Sequence, residues 1–179
     1  MSLFGLFPRA SAFRPIGPER SGECAAIHAE SFAHPWSENE FEQLLLVREI
    51  VSDGAIDPAD CALDGFILSR IALDEAEILT IAVAAERRRC GVGETLLATH
   101  VNGLTNRGVR RLFLEVDAAN AAARALYAWR GFHPVAERKA YYRVAGAAAA
   151  TALVMRLDLG DGETASAAET LLSRHKPLE

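Results

Sequence analysis

Residues 81–101 read IAVAAERRRCGVGETLLATHV. An apolar run, Ile81-Ala82-Val83, gives way to three arginines, Arg87, Arg88 and Arg89. Cys90 follows, and then two glycines, Gly91 and Gly93, separated by Val92. After Glu94 the apolar period changes: Leu96, Leu97, His100, Val101 and Leu104 recur at the spacing of one helix face. The stretch predicts a strand, a tight glycine turn and an amphipathic helix, in that order. Such a turn can cradle a phosphate. The first N–H groups of a helix have no acceptor within it, and the helix dipole adds positive charge at the same end. Glycines remove the Cβ atoms that would hold a diphosphate away from the backbone. Successive N–H groups can then wrap the anion, with Arg88 and Arg89 adding charge. The spacing is not that of a dinucleotide-binding turn, because Glu94, Thr95 and Leu96 follow Gly93 where a third glycine is needed. Gly-Lys-Ser/Thr, the mark of a P-loop, is absent too. Taken alone, the turn reads equally as a glycine-bearing helix start beside a solvated arginine run.

Strands and helices alternate on either side of this stretch. Downstream, Arg111 to Asp117 alternates as a strand, Asn120 caps a helix that Gly131 closes, and 132–142 and 150–158 form a final pair of strands. Upstream, Ala76 to Val83 and Cys61 to Ile71 read as strands, with the acidic cluster Asp74, Glu75 and Glu77 at a hairpin turn between them. Gly54 to Asp60 reads as a turn. Ser37 and Glu40 make a capping box for a helix through Phe41, Leu44 and Leu45. His34-Pro35-Trp36 breaks the chain before it. A helix from Gly17-Pro18-Glu19 towards Phe32 and a short strand at Phe13 to Ile16 complete the order. The class expected is α/β, in one domain.

The chain has 179 residues, half of them apolar and a quarter charged, enough for one well-cored globular domain. We divide it into an N-terminal extension (1–11), a domain (12–158) and a polar C-terminal tail (159–179). The net charge of -5 disfavours a broad nucleic-acid interface. Cys24, Cys61 and Cys90 stand far apart and are odd in number, which points to a reducing compartment and so to the cytoplasm. No His-Glu-x-x-His occurs, so no metal is expected. No apolar run approaches the ~18 residues of a membrane span, and Gly5 and Pro8 interrupt the N-terminus, which does not read as a signal peptide.

Taken together, the motifs resemble the GNAT N-acetyltransferases. Arg88-x-x-Gly91-x-Gly93 stands where that family binds acetyl-CoA. Ile81-Ala82-Val83, Leu114-Glu115-Val116, Asn120-Ala121-Ala122-Ala123, Ala125-Leu126-Tyr127, Gly131-Phe132 and Tyr141-Tyr142 follow in family order, with Pro35-Trp36-Ser37 upstream. The ordered set, over roughly Phe13 to Asp158, is similar to the RimI-type ribosomal-protein-alanine acetyltransferases. The resemblance implies a mixed, mostly antiparallel sheet, splayed at its centre, with helices on both faces. It also implies acetyl-CoA as acetyl donor, without a metal. The acceptor implied is a protein N-terminal amine, namely the N-terminal alanine of small-subunit ribosomal protein 18. Another protein N-terminus, a lysine, a small amine or a non-catalytic acetyl-CoA-binding module are the competing readings.

Aminolysis of a thioester needs a neutral amine, donors for an oxyanion and a proton for the leaving thiolate. Glu115 shares one strand face with Arg111, Phe113 and Asp117, opposite Leu112, Leu114 and Val116. In so apolar a strand its carboxylate would be partly desolvated, with its pKa raised. Spacing alone favours a solvated or arginine-paired glutamate; the resemblance makes it the base. Tyr127 lies two turns into the Asn120-capped helix and, by resemblance, is the acid that protonates the CoA sulfur. By spacing alone it is a helical tyrosine packing its ring with a wet hydroxyl. By resemblance, Ile81, Ala82 and Val83 offer backbone to the pantetheine arm, and the Val83 N–H can serve the oxyanion. Arg88, Arg89, Cys90, Gly91, Val92, Gly93 and Glu94 hold the diphosphate, with Asn120 and Tyr127 also at the donor. Trp36, Tyr141 and Tyr142 are the aromatic candidates for gripping the acceptor, or else ordinary packing. Ala140 and Arg143 stand where the family has Asn and Pro around the tyrosine pair.

Overall fold

A computed structural model describes residues 10–139 and 151–160. These fall into two compact units, one holding residues up to 72 together with 76–104, the other holding 73–75 together with the residues from 105 onward.

In the first unit the strands lie in the order β1 (Ala12–Pro15), β2 (Ile50–Ile56), β3 (Leu63–Ala72) and β4 (Glu75–Val83). β1 and β2 pair antiparallel with Phe13 opposite Ala55; β2 and β3 do so with Asp53 opposite Ile67. The helices are α1 (Ser21–Ala29), entered through a 3-10 turn at Pro18–Arg20, α2 (Glu38–Leu45) and α3 (Val92–Asn106). α2 starts at Ser37 as expected. The Ser37 hydroxyl accepts from the Glu40 N–H at 3.3 Å, and a Glu40 carboxylate oxygen accepts from the Ser37 N–H at 2.7 Å. A cap of this kind is worth about 1 kcal/mol. Cys24, Ile27, Phe41, Phe66, Leu68 and Ala82 form one core cluster, against which Trp36, Leu44 and Leu45 pack.

The turn expected over Gly54 to Asp60 is corrected: its first residues belong to β2, a strand the alternation did not reveal. Asp53 and Gly54 disguise it. Asp53 carries a charge into a buried position, and Gly54 sits where a Cβ would meet Ile16 Cγ2 at 2.6 Å and Leu63 Cδ1 at 2.8 Å. The bend in the chain begins only at Asp57, whose carbonyl accepts from the Cys61 N–H at 2.9 Å. Glu75, placed in the hairpin turn by sequence, is instead the first residue of β4, and Glu77 is an exposed residue within that strand.

The second unit orders its strands β5 (Arg111–Asp117), β7 (Thr151–Asp158) and β6 (His133–Lys139), both pairings antiparallel. Leu112, Leu114 and Val116 are buried while Arg111, Glu115 and Asp117 are exposed, as the period of two requires. Its helix is α4 (Ala121–Trp129). Among the described residues no helix is long and apolar enough to cross a membrane.

Candidate active site

The turn between β4 and α3 has the backbone that the glycines imply. Arg89 and Gly91 both take positive φ, 61° and 79°. At Gly91 this conformation is open to glycine at no cost, and a Cβ there would meet nothing within 4 Å, so the backbone is approachable. The backbone bonding of α3 starts from Thr95, whose N–H and hydroxyl both reach the Gly91 carbonyl, at 3.0 and 3.1 Å. Helix geometry then leaves the N–H groups of Val92, Gly93 and Glu94 without an acceptor inside the helix. Cys90 is an exposed free thiol in the same turn.

Arg88 behaves differently from the ligand expected of it. Its side chain folds back onto the protein: Nε donates to the Val83 carbonyl at 3.0 Å, and Nη2 to the Ser31 hydroxyl at 3.1 Å and the Glu30 carbonyl at 3.4 Å. It thus ties the last residue of β4 to the end of α1. Ala85 N–H reaches the Glu30 carboxylate at 3.1 Å, a second link between the same segments. Ile81 and Val83 are half-buried and Ala82 is buried, in register with the β4 alternation.

Trp36 lies at the α1–α2 connection, half-buried, in a stack that sequence reading missed. His28 sits between Phe32, 4.1 Å away, and Trp36, 5.1 Å away, with both rings near-parallel to it. The Trp36 N–H donates to His28 Nδ1 at 3.1 Å, which fixes that nitrogen as the unprotonated one. His28 is 3% exposed. Burial holds its imidazole below the usual range, and the nearby Glu40 carboxylate opposes this more weakly. The helical spacing of Ala25, Ala29 and Phe32 contains His28 as well, and the His34-Pro35-Trp36 break that starts six residues later was the available signal.

In the second unit, Asn120 is the N-cap of α4: its side-chain oxygen accepts from the Ala123 N–H at 3.1 Å. Tyr127 lies at the other end of this short helix, and the helix terminator fixes it. Gly131 has φ 99° and its N–H reaches the Ala128 carbonyl; the Phe132 N–H reaches the Tyr127 carbonyl, both at 3.0 Å. This pair of bonds is a Schellman motif, and the apolar contact that accompanies such motifs is here Tyr127 on Phe132, with ring centroids 5.7 Å apart. The reading from spacing alone, a packed ring with its hydroxyl left wet, is corrected: Tyr127 is 6% exposed, and desolvation pushes its phenol up to about 12.

Glu115 departs from expectation in the opposite sense. Its side chain is 38% exposed, and Oε1 lies 3.0 Å from Arg138 Nη1 on β6. The predicted desolvation is corrected: β7 pairs Val154 opposite Glu115, but the carboxylate projects to the open face beyond it. Tyr141, Tyr142, Ala140 and Arg143 lie outside the described residues. Among the described residues no group of three or more His, Cys, Asp and Glu is arranged to hold a metal ion.

The sequence model of the acetyltransferase (GNAT) family matches residues 23–132, a span that contains the glycine turn, Glu115, Asn120 and Tyr127. The chain belongs to the GNAT acetyltransferase family. One GNAT relative, the [ribosomal protein bS18]-alanine N-acetyltransferase of Escherichia coli K12, is 38% identical over 124 residues, covering 66% of this chain and 79% of its own. The crystal structure of the ribosomal-protein-S18-alanine N-acetyltransferase from E. coli superposes with a TM-score of 0.76 at 30% identity, covering 86% of this chain and 97% of that one. Arabidopsis thaliana NAA60 in complex with a bisubstrate analogue shares the GNAT fold at 24% identity, with a TM-score of 0.72 and coverage of 82% and 97%. Acetyl-CoA is the donor used by GNAT acetyltransferases, and NAA60 has also been crystallised with it.

Proposed function

We propose that this chain transfers the acetyl group of acetyl-CoA to the N-terminal amine of a protein, and specifically to the N-terminal alanine of ribosomal protein bS18, in the cytoplasm. What supports the acceptor is the extended likeness to the E. coli enzyme that carries that name. What supports the chemistry is the Tyr127 phenol, buried and held by a helix terminator of defined geometry.

In this reading residues 12–158 act as one catalytic domain. Acetyl-CoA binds through its diphosphate at the backbone of Arg89 to Glu94, with Arg88 bracing the turn rather than meeting the anion. The backbone of Ile81, Ala82 and Val83 aligns the pantetheine arm, and the Val83 N–H stabilises the oxyanion. The exposed Glu115 takes the proton of the incoming ammonium, through water, leaving the neutral amine to attack the thioester carbonyl. The Tyr127 hydroxyl then gives its proton to the departing sulfur, and the proton shed by the attacking nitrogen restores the phenol through water. Trp36, with Tyr141 and Tyr142, grips the first residues of the acceptor. The Asn120 amide, beyond its cap, contacts the pantetheine.

The experiment is mass spectrometry of a bS18 N-terminal peptide after incubation with acetyl-CoA. A gain of one acetyl group on the α-amine of Ala, abolished when that amine is blocked, is the expected result. Acetylation confined to lysine side chains or to free small amines would reassign the acceptor, and acetyl-CoA binding without turnover on any of them would remove the catalytic reading.

A further inference from the structure

His100 is wholly buried on α3, and both its ring nitrogens are engaged with the sheet beneath. Nδ1 lies 2.6 Å from Asp53 Oδ2 on β2, and Nε2 lies 2.8 Å from Ser69 Oγ on β3. Asp53 is 8% exposed and Ser69 is fully buried. Paired with a carboxylate, Nδ1 carries a proton and donates it; Ser69 then donates to Nε2, or accepts from it if the ring is charged. The other buried residues of α3 are Val92, Leu96, Leu97, Val101 and Leu104. Apolar contact of that kind holds a helix against a sheet, but it is non-directional and tolerates sliding and rotation. The two bonds of His100 do not. They point in different directions to two different strands, and a turn or shift of α3 breaks at least one of them.

We propose that the Asp53–His100–Ser69 network is a positioning device for the donor: it sets the axial and rotational position of α3 so that the N–H groups of Val92, Gly93 and Glu94 meet the diphosphate. The three residues touch no substrate and act through α3. The proposal rests on the diphosphate-turn reading above. A polar network in such a place is costly to bury, and a pure packing role would be met as well by apolar side chains of similar size. Its directionality is what the apolar alternative lacks. His100 stands eight residues, a little over two turns, from Val92, so a tilt at His100 is carried along a stiff rod to the turn.

Replacing the hydrogen-bonded pair by apolar residues, Asp53→Val with His100→Leu, leaves neither polar partner buried without the other and is compatible with folding. Ser69→Ala is the milder second variant. Each is assayed with acetyl-CoA and with S-acetylpantetheine, a donor that lacks the diphosphate. The expected result is a thermal midpoint close to that of the parent protein and a KM for acetyl-CoA raised about tenfold in the double variant, with kcat and the KM for S-acetylpantetheine unchanged. Ser69→Ala shifts the same parameter in the same direction by a smaller factor. A merely structural network would lower the active fraction and so kcat for both donors alike, with KM unmoved; that result overturns the proposal, as does an unaltered acetyl-CoA KM in either folded variant. If the parent protein itself takes both donors with equal KM, the diphosphate-turn reading has failed, and the positioning role fails with it.

Discussion

Arg138 holds a guanidinium nitrogen 3.0 Å from a carboxylate oxygen of Glu115, across the sheet from β6 to β5 and in contact with solvent. Glu115 is the base of the proposed reaction. Glu115→Gln keeps the shape of the side chain and removes its capacity to take a proton. The rate at neutral pH is expected to fall by about 100-fold, with acetyl-CoA affinity unchanged. Arg138→Gln tests the partner: an exposed ion pair contributes at most about 1 kcal/mol, so the melting temperature should hardly move. Steady-state kinetics and calorimetric titration of acetyl-CoA on both variants read the difference. A fully active Glu115→Gln protein removes Glu115 from the mechanism.

Tyr127 makes two predictions from one cause. Tyr127→Phe preserves the ring packed on Phe132 and the Schellman bonds, which are made by backbone, and deletes only the hydroxyl. Turnover is expected to fall by about 100-fold in a folded protein. Burial raises the phenol from 10.0 to about 12 in the folded state. The folded chain therefore keeps this proton where the unfolded chain has released it. The stability linked to Tyr127 is complete below pH 10 and is lost as pH rises from 10 towards 12. Denaturant melts at pH 9 and pH 11 should show a larger loss in the parent protein than in Tyr127→Phe.

His28 gives the opposite sign. Its imidazole is held below the unfolded value of 6.5, so the unfolded chain binds a proton that the folded chain refuses. Stability linked to His28 is present above pH 6.5 and is lost as pH falls below it. Protonation would also take away the lone pair that accepts the Trp36 N–H. Thermal midpoints between pH 7.5 and pH 5 should decline in the parent protein and decline less in His28→Phe. Equal slopes in the two proteins would mean that another group governs the acid side.

Gly91→Val addresses the donor turn. A branched residue at φ 79° is strained, and its Cβ would stand in space that is open in the parent. Loss of acetyl-CoA binding in calorimetry, with the helical circular-dichroism signal retained, is the expected outcome. Retained binding would place the diphosphate elsewhere.

Much of this was legible because short-range rules decided it. The Ser37–Glu40 capping box, the alternation of Leu112, Leu114 and Val116, and the apolar face of α3 all depend on neighbours a few residues away. What escaped depends on distant partners. β2 was hidden because Asp53 breaks the apolar alternation until His100, 47 positions later, is seen to bond it. Glu115 seemed desolvated by its own strand, yet exposure is set by what covers the face, and the ion pair with Arg138 spans 23 positions. Spacing alone leaves the Tyr127 hydroxyl wet; its burial follows from the helix ending at Gly131, which returns Phe132 onto its ring. The role of His28 was invisible for the same reason, since its stack with Trp36 closes only once α1 has ended and the chain has reversed.

The inward turn of Arg88 changes what the first letter of the glycine motif records. One planar side chain spans three acceptors, the carbonyls of Val83 and Glu30 and the hydroxyl of Ser31. A lysine carries one ammonium and cannot bridge a strand end and a helix end from opposite sides of a rigid fork. The arginine is therefore a fastener shared by two working parts: the strand proposed to align the donor, and the helix from which the Trp36 connection hangs. Wear on that fastener would reach the donor and acceptor sides together, so a substitution at position 88 should resemble damage to both substrates' grip rather than the loss of a single charge.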